Sequence, residues 1–240
     1  MAHDFAMPEQ WSSEHKLFQH QVGFTCPPFD FDAAPSDFLR MCPETVGVHG
    51  WMLHVPNYVH GLDQRRENFG MLEDYVHCMS RNGVDVCGQV GSNWVHASGL
   101  GVEGIRQHCE NLSDKYQTRF HMAGYAMVEA LRAMNVEKVA LNAAYHWPTW
   151  WNGTVGFLQE AGFDVLWAGN FVDQGWFATQ EQVNERRWVF DGDLAFAKEL
   201  EGRLGKPVVG HDIALYWRIM KDLQIVPTSA KGILLESLNA

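Results

Sequence analysis

The sequence predicts an α/β fold built on parallel strands. Short β-branched runs recur along the chain, and stretches with helical apolar spacing separate them. The ends of the strand-like runs also gather Gly, Pro, Ser and Asn, as loops at a sheet edge do.

The first run is QVGFTC (21–26), closed by Pro27-Pro28. TVGVH with WMLHV (45–55), VDVCGQV (84–90), TRFHMA (118–123), KVALNAA (138–144), DVLWAG (164–169) and KPVVG (206–210) follow. Between the second and third, Leu72, Tyr75, Val76 and Met79 mark one buried helix face. Ala126, Met127, Ala130, Leu131 and Met134 repeat that spacing before KVALNAA. A third helix runs from Asp193-Leu194 to Leu204-Gly205, where the glycine suits a C-cap, and IALYWRIMKDL (213–223) is a fourth. Ligands of parallel sheets gather beyond the carboxyl ends of the strands. The site is therefore expected at Cys26-Pro27-Pro28, Gly91-Ser92-Asn93, Tyr145-His146 and Gly210-His211-Asp212.

With 240 residues, 46% of them hydrophobic, the chain can bury one or two compact cores. Its net charge of −11 and the lack of any Lys/Arg run beyond pairs such as Arg65-Arg66 argue against nucleic acid as a partner. An anionic substrate meets a repulsive overall field, so a carboxylate site must rely on local donors such as backbone N–H groups and hydroxyls. No apolar stretch reaches the ~18–20 residues of a membrane span. The first residues lack the charged-then-apolar order of a signal peptide. Five cysteines without a CxxC pair fit reduced thiols, so a cytoplasmic location is expected. Ten Trp and fourteen Phe fit bulky core packing, an apolar pocket or an interface between copies of the chain.

The strand-end loops each carry two readings. Gly91-Ser92-Asn93 offers backbone N–H groups, a hydroxyl and an amide to a carboxylate or enolate, or is a plain turn with Ser or Asn as a helix N-cap. The Tyr145 phenol can donate to a carboxylate or line an apolar pocket, and His146 can move protons or fill a structural place in a Trp-rich loop. His211 and Asp212 are expected on an extended backbone, where neighbours point to opposite sides and do not pair. His49, His54 and His60 have no familiar metal-ligand spacing. No GxGxxG, Walker loop, GxSxG or zinc pattern is present.

Taken in order, VGFTCPP (22–28), the block from Gly83 to Gly99, MVEALRAMNVEKVALNAAY (127–145) with FLQEAGFDV, and LEGRLGKPVVG followed by YW (200–217) resemble the aspartate/glutamate racemase superfamily. The similarity is greatest to its arylmalonate decarboxylase and maleate cis–trans isomerase branch. It implies two similar Rossmann-like parallel-sheet domains facing each other across a cleft. Residues 1–120 with 211–240 would form one domain, its last helix returning to it, and 121–210 a shortened second one. It also implies cofactor-independent chemistry beside a carboxylate, with no metal.

Racemases and isomerases of this superfamily use two cysteines, one from each domain. Gly91 falls on the first, as in arylmalonate decarboxylases, and no cysteine follows Cys109 to supply the second. By resemblance, Pro27, Pro28, Gly91, Ser92, Asn93 and Tyr145 bind the substrate. His146, His211 or Asp212 would replace the absent acid, with Cys26 and Cys87 as weaker candidates. A decarboxylase-like lyase or an isomerase, acting through an enolate on a small carboxylate with a bulky or aromatic substituent, is the expected function. The alternatives are a non-catalytic carboxylate-binding protein on the same scaffold, or a metal-dependent hydrolase or lyase.

Overall fold

The computed structural model describes residues 17–26, 33–143, 147–175, 177–182, 194–229 and 232–239, with the backbone alone at Cys26 and 194–196. Four strands form the first sheet: β1 (His20–Cys26), β2 (Val46–Met52), β3 (Val86–Gln89) and β4 (Arg119–Met122). Their order is β2-β1-β3-β4 and every neighbouring pair is parallel. Parallel neighbours need crossovers. These are supplied by α1 (Ala34–Leu39), by α2 (Leu62–Glu67) with α3 (Met71–Arg81), and by α4 (Asn93–Ala97) with α5 (Gly101–Tyr116).

After β4 the chain forms α6 (Ala123–Ala133), β5 (Lys138–Ala143), α7 (Pro148–Glu160) and β6 (Asp164–Asn170). β5 and β6 pair in parallel as a second sheet, two-stranded among the described residues. α8 (Leu194–Leu204), α9 (His211–Leu223) and the short α10 (Ile233–Glu236) complete the order. KPVVG, expected as a strand, carries no strand between α8 and α9. Its Pro207 has no N–H to give a ladder, and the Val208 N–H is taken by the Glu201 carboxylate at 2.9 Å.

Side chains alternate across the first sheet and pack a different layer on each face. Gly23 backs onto Met79 and Tyr75 of α3, where an added Cβ would lie 3.1–3.2 Å from both. On the opposite face Gly88 lies against Leu215 and Ile219 of α9, and Phe24 packs edge-on to Phe38 of α1 and to Tyr216 at centroid distances of 5.3 and 6.1 Å. At the far end of α9 the Asp222 carbonyl accepts from Arg119 at the start of β4, at 2.7 Å. α9 therefore runs antiparallel to the strands, and its N-terminal His211 lies toward their carboxyl edge.

The strand order reverses direction between β1 and β3. The chain goes from β1 outward to β2, then returns to the other side of β1 for β3 and β4. Such a switch point opens a crevice beyond the two central strands, where α/β sheets bind ligands. β3 delivers Gly91 to that crevice, and β1 ends there at Cys26, beside the same edge.

Candidate active site

The loop after β3 is held from beneath by two buried polar side chains. Thr25 of β1 accepts the Val90 N–H on Oγ1 at 3.0 Å. Gln89, fully buried, turns its carboxamide back on the chain and donates to the carbonyls of Val90 and Gly91, the latter at 3.0 Å. Gly91 then takes φ +92, and Ser92 follows in the right-handed region at φ −65, ψ −23. A residue of positive φ followed by one in the right-handed region can turn successive backbone N–H groups into one concavity that accepts an anion. The N–H groups of Gly91 and Ser92 meet no acceptor among the described residues. α4 has five residues, too few to add much of a dipole.

Gly91 also explains itself here. A Cβ at this position would find open space, its nearest neighbour 3.8 Å away, but φ +92 disfavours any L side chain. Ser92 occupies the N-cap position of α4 without a side-chain cap bond, so its hydroxyl is not engaged by the helix. Close below, Gly124 at the start of α6 leaves room for the Ser92 carbonyl. A Cβ there would come within 2.7 Å of that oxygen and 2.5 Å of Val95.

One helical turn beyond the loop, His96 shares a face of α4 with Ser92 and Asn93. Its ring presses on Gly153 of α7, where a Cβ would come within 2.3 Å of it. Both ring nitrogens are buried without a hydrogen-bond partner among the described residues. Burial first, and then the charge of Arg65, push its pKa down to about 4. Arg65 itself is 6% exposed, with its guanidinium carbon 5.3 Å from the Tyr58 ring centroid and 4.8 Å from that of Trp150. It donates to the His60 carbonyl at 3.0 Å. This buried cation beside the site was invisible in the sequence, where it is one half of a basic pair and its aromatic partner on α7 lies far along the chain.

His211 opens α9 at the same sheet edge, and its Nε2 lies 3.3 Å from Asp212 Oδ1. The expectation that these neighbours do not pair is corrected: they sit on the first turn of a helix, not on an extended strand end, so their side chains approach one another. Pro27, Pro28, Tyr145 and His146 lie outside the described residues. Gly91, Ser92 and Asn93 are thus placed at the crevice, and His211 at the edge that carries it.

Three of the described thiols are held far from reactive form. Burial pushes Cys42, Cys87 and Cys109 each up to about 12, far from a thiolate at neutral pH. Cys87, a candidate for proton transfer, is fully buried within β3 and is corrected to a packing residue. His49 meets Gln21 Oε1 at 3.0 Å, and no three His, Cys, Asp or Glu side chains gather as a metal-ligand set among the described residues.

No protein-family model matches this chain, and no curated protein sequence matches it. Solved structures do match. The maleate isomerase Iso from Pseudomonas putida S16 aligns with a TM-score of 0.73 at 15% identity, over 91% of this chain and 99% of that one. A Nocardia farcinica maleate cis–trans isomerase bound to TRIS aligns at 0.69 and 17%, over 91% and 98%. Arylmalonate decarboxylase aligns at 0.66 and 19%, over 90% and 99%. At these identities the likeness is one of fold, and it is the fold of the branch that the strand-end loops resemble.

Proposed function

We propose that this chain is a cofactor-independent lyase or isomerase that works at the carbon next to a carboxylate, through an enolate-like intermediate. One observation carries the reading: the N–H groups of Gly91 and Ser92, unengaged among the described residues, lie at the switch point of a fold shared with enzymes named for maleate and arylmalonate. In this reading residues 1–120 with 211–240 and residues 121–210 form the two sides of a cleft. The packing of α7 against α4 at Gly153 and His96 supports that arrangement.

The substrate is a small dicarboxylate or aryl-substituted carboxylate. One carboxylate seats on the Gly91–Ser92 amides, with Asn93 and Tyr145 as further donors and Pro27 and Pro28 as a wall. When the second carboxylate leaves as CO₂, the electron pair of the broken C–C bond passes into the seated carboxylate as an enediolate. The donors hold the added charge on its oxygens. A protonated imidazole, His146 or His211, then delivers the proton to carbon, with Asp212 placed to orient His211. A positioned acid of this kind contributes about 10²–10⁴-fold, roughly 3–5 kcal/mol of barrier.

One solved Nocardia isomerase variant carries a covalently bound succinylcysteine. Burial suits Cys42, Cys87 and Cys109 poorly to such an adduct, which favours proton transfer by histidine over addition by any of these three thiols. The test is proton NMR in D₂O with malonates, maleate and 2-aryl acids. Deuterium entering beside a carboxylate, or CO₂ loss, supports the reading. Ser92→Ala and Tyr145→Phe should each then lower kcat on the order of 10²-fold with a smaller rise in KM. Wild-type rates in both variants would overturn the site. Thermal stabilisation by a carboxylate without exchange or conversion would favour the carboxylate-binding protein instead.

A further inference from the structure

The buried amide beneath the loop makes its side-chain hydrogen bonds to that loop and to no other element among the described residues. Gln89 is fully buried, yet its Oε1 meets no donor among the described residues, while its Nε2 serves two carbonyls of the loop immediately after it. A buried acceptor without a partner costs stability, so an apolar side chain of the same length would suit the core better. The geometry of the loop supplies the compensating use. In a planar trans peptide the C=O and N–H point in opposite directions. Drawing the Val90 and Gly91 carbonyls down onto Nε2 therefore turns the N–H groups of Gly91 and Ser92 away from the core, toward the crevice. The Val90 N–H, one peptide earlier, is kept out of the crevice by Thr25.

We infer that Gln89 is the positioning residue of the anion-accepting loop: its carboxamide selects the two N–H groups presented to a bound carboxylate and fixes their direction. The inference rests on the proposed seating of a carboxylate at Gly91–Ser92 for its ligand, but not for the loop geometry itself. It assigns to the third strand a function in recognition beyond that of a core element. A substrate carboxylate would never touch Gln89 and would still depend on it.

The experiment is NMR of the ¹⁵N-labelled protein, with malonate as the probe. In the free wild-type protein the Gln89 carboxamide protons should exchange slowly and the Gly91 and Ser92 amide protons fast. The opposite pattern would overturn the inference without any variant. Gln89→Met keeps the length and removes the donor. It should displace or broaden the Gly91 and Ser92 cross-peaks and weaken malonate binding at least about tenfold, with a melting temperature equal to or above that of the wild type. Unchanged loop cross-peaks and an unchanged Kd in the variant would overturn it, and so would a fall in melting temperature with binding intact, the signature of a structural residue. If malonate moves neither cross-peak in the wild-type protein, the carboxylate seating fails, and the free variant's spectrum still decides whether Gln89 sets the loop.

Discussion

The imidazole of His96 is held neutral by burial and by the Arg65 charge, and its lowered pKa of about 4 makes it a stability determinant in mild acid. The unfolded chain takes up this proton near the ordinary 6.5, the folded chain only near 4. The unfolded state therefore binds more protons between those values, and stability falls as pH drops from 6.5 toward 4. The shift corresponds to about 3 kcal/mol at most. Chemical denaturation of the wild type across this range should show the decline, and His96→Leu should flatten it. An acid limb of equal steepness in the variant would place the cause elsewhere. Gly153 belongs to the same contact, since only a residue without a side chain lets α7 close over the ring.

Between elements, the seam from α7 to α5 depends on one carboxylate. Glu160, at the end of α7, accepts the Val102 N–H at 2.8 Å, which satisfies one of the free donors at the start of α5. It does for α5 what an N-cap side chain does from within the same helix, and it does so from another element. Glu160→Ala should cost about 1–2 kcal/mol and speed hydrogen exchange at Val102, while Glu160→Gln should retain most of the stability. Equal losses in both would point to charge instead of the acceptor. α7 was not legible in the sequence, because PTWWNGTVGFLQE combines two glycines, Thr and paired Trp, all weak helix formers. α5 was legible in principle: its buried Val102, Ile105, Cys109 and Leu112 follow a helical repeat.

Across the whole molecule, the segment after α9 ties distant parts together. The Thr228 N–H donates to the Met41 carbonyl at 2.8 Å and Ser229 Oγ to the Arg40 carbonyl at 3.2 Å, both just past α1. Farther on, the Ile233 N–H donates to the Glu201 carboxylate of α8 at 3.0 Å, and Lys198 meets Glu236 at 3.2 Å. Leu234 and Leu235 join the core at 2% and 0% exposure. Leu235→Ala should therefore destabilise the protein by about 2–5 kcal/mol in urea unfolding, as a fully buried leucine does. A loss below about 0.5 kcal/mol, the range of surface changes, would mean that the tail packs only loosely. No described helix is long and apolar enough to cross a membrane.

By itself the sequence determined the class of fold and most of its strands, because short β-branched runs and a helical period in α3 and α6 are local properties of the chain. It also marked Gly91-Ser92-Asn93 as a strand-end loop, since Gly, Ser and Asn identify a turn wherever it lies. Tertiary structure alone decided the rest. Strand order is a long-range property, and only the order β2-β1-β3-β4 puts the switch point beside Gly91. Whether KPVVG pairs as a strand, or His211 lies near Asp212, depends on which neighbours are present to take the backbone bonds. Arg65 stacked on Trp150 and Gln89 turned beneath its own loop are likewise matters of side-chain direction and packing, which a linear pattern does not encode.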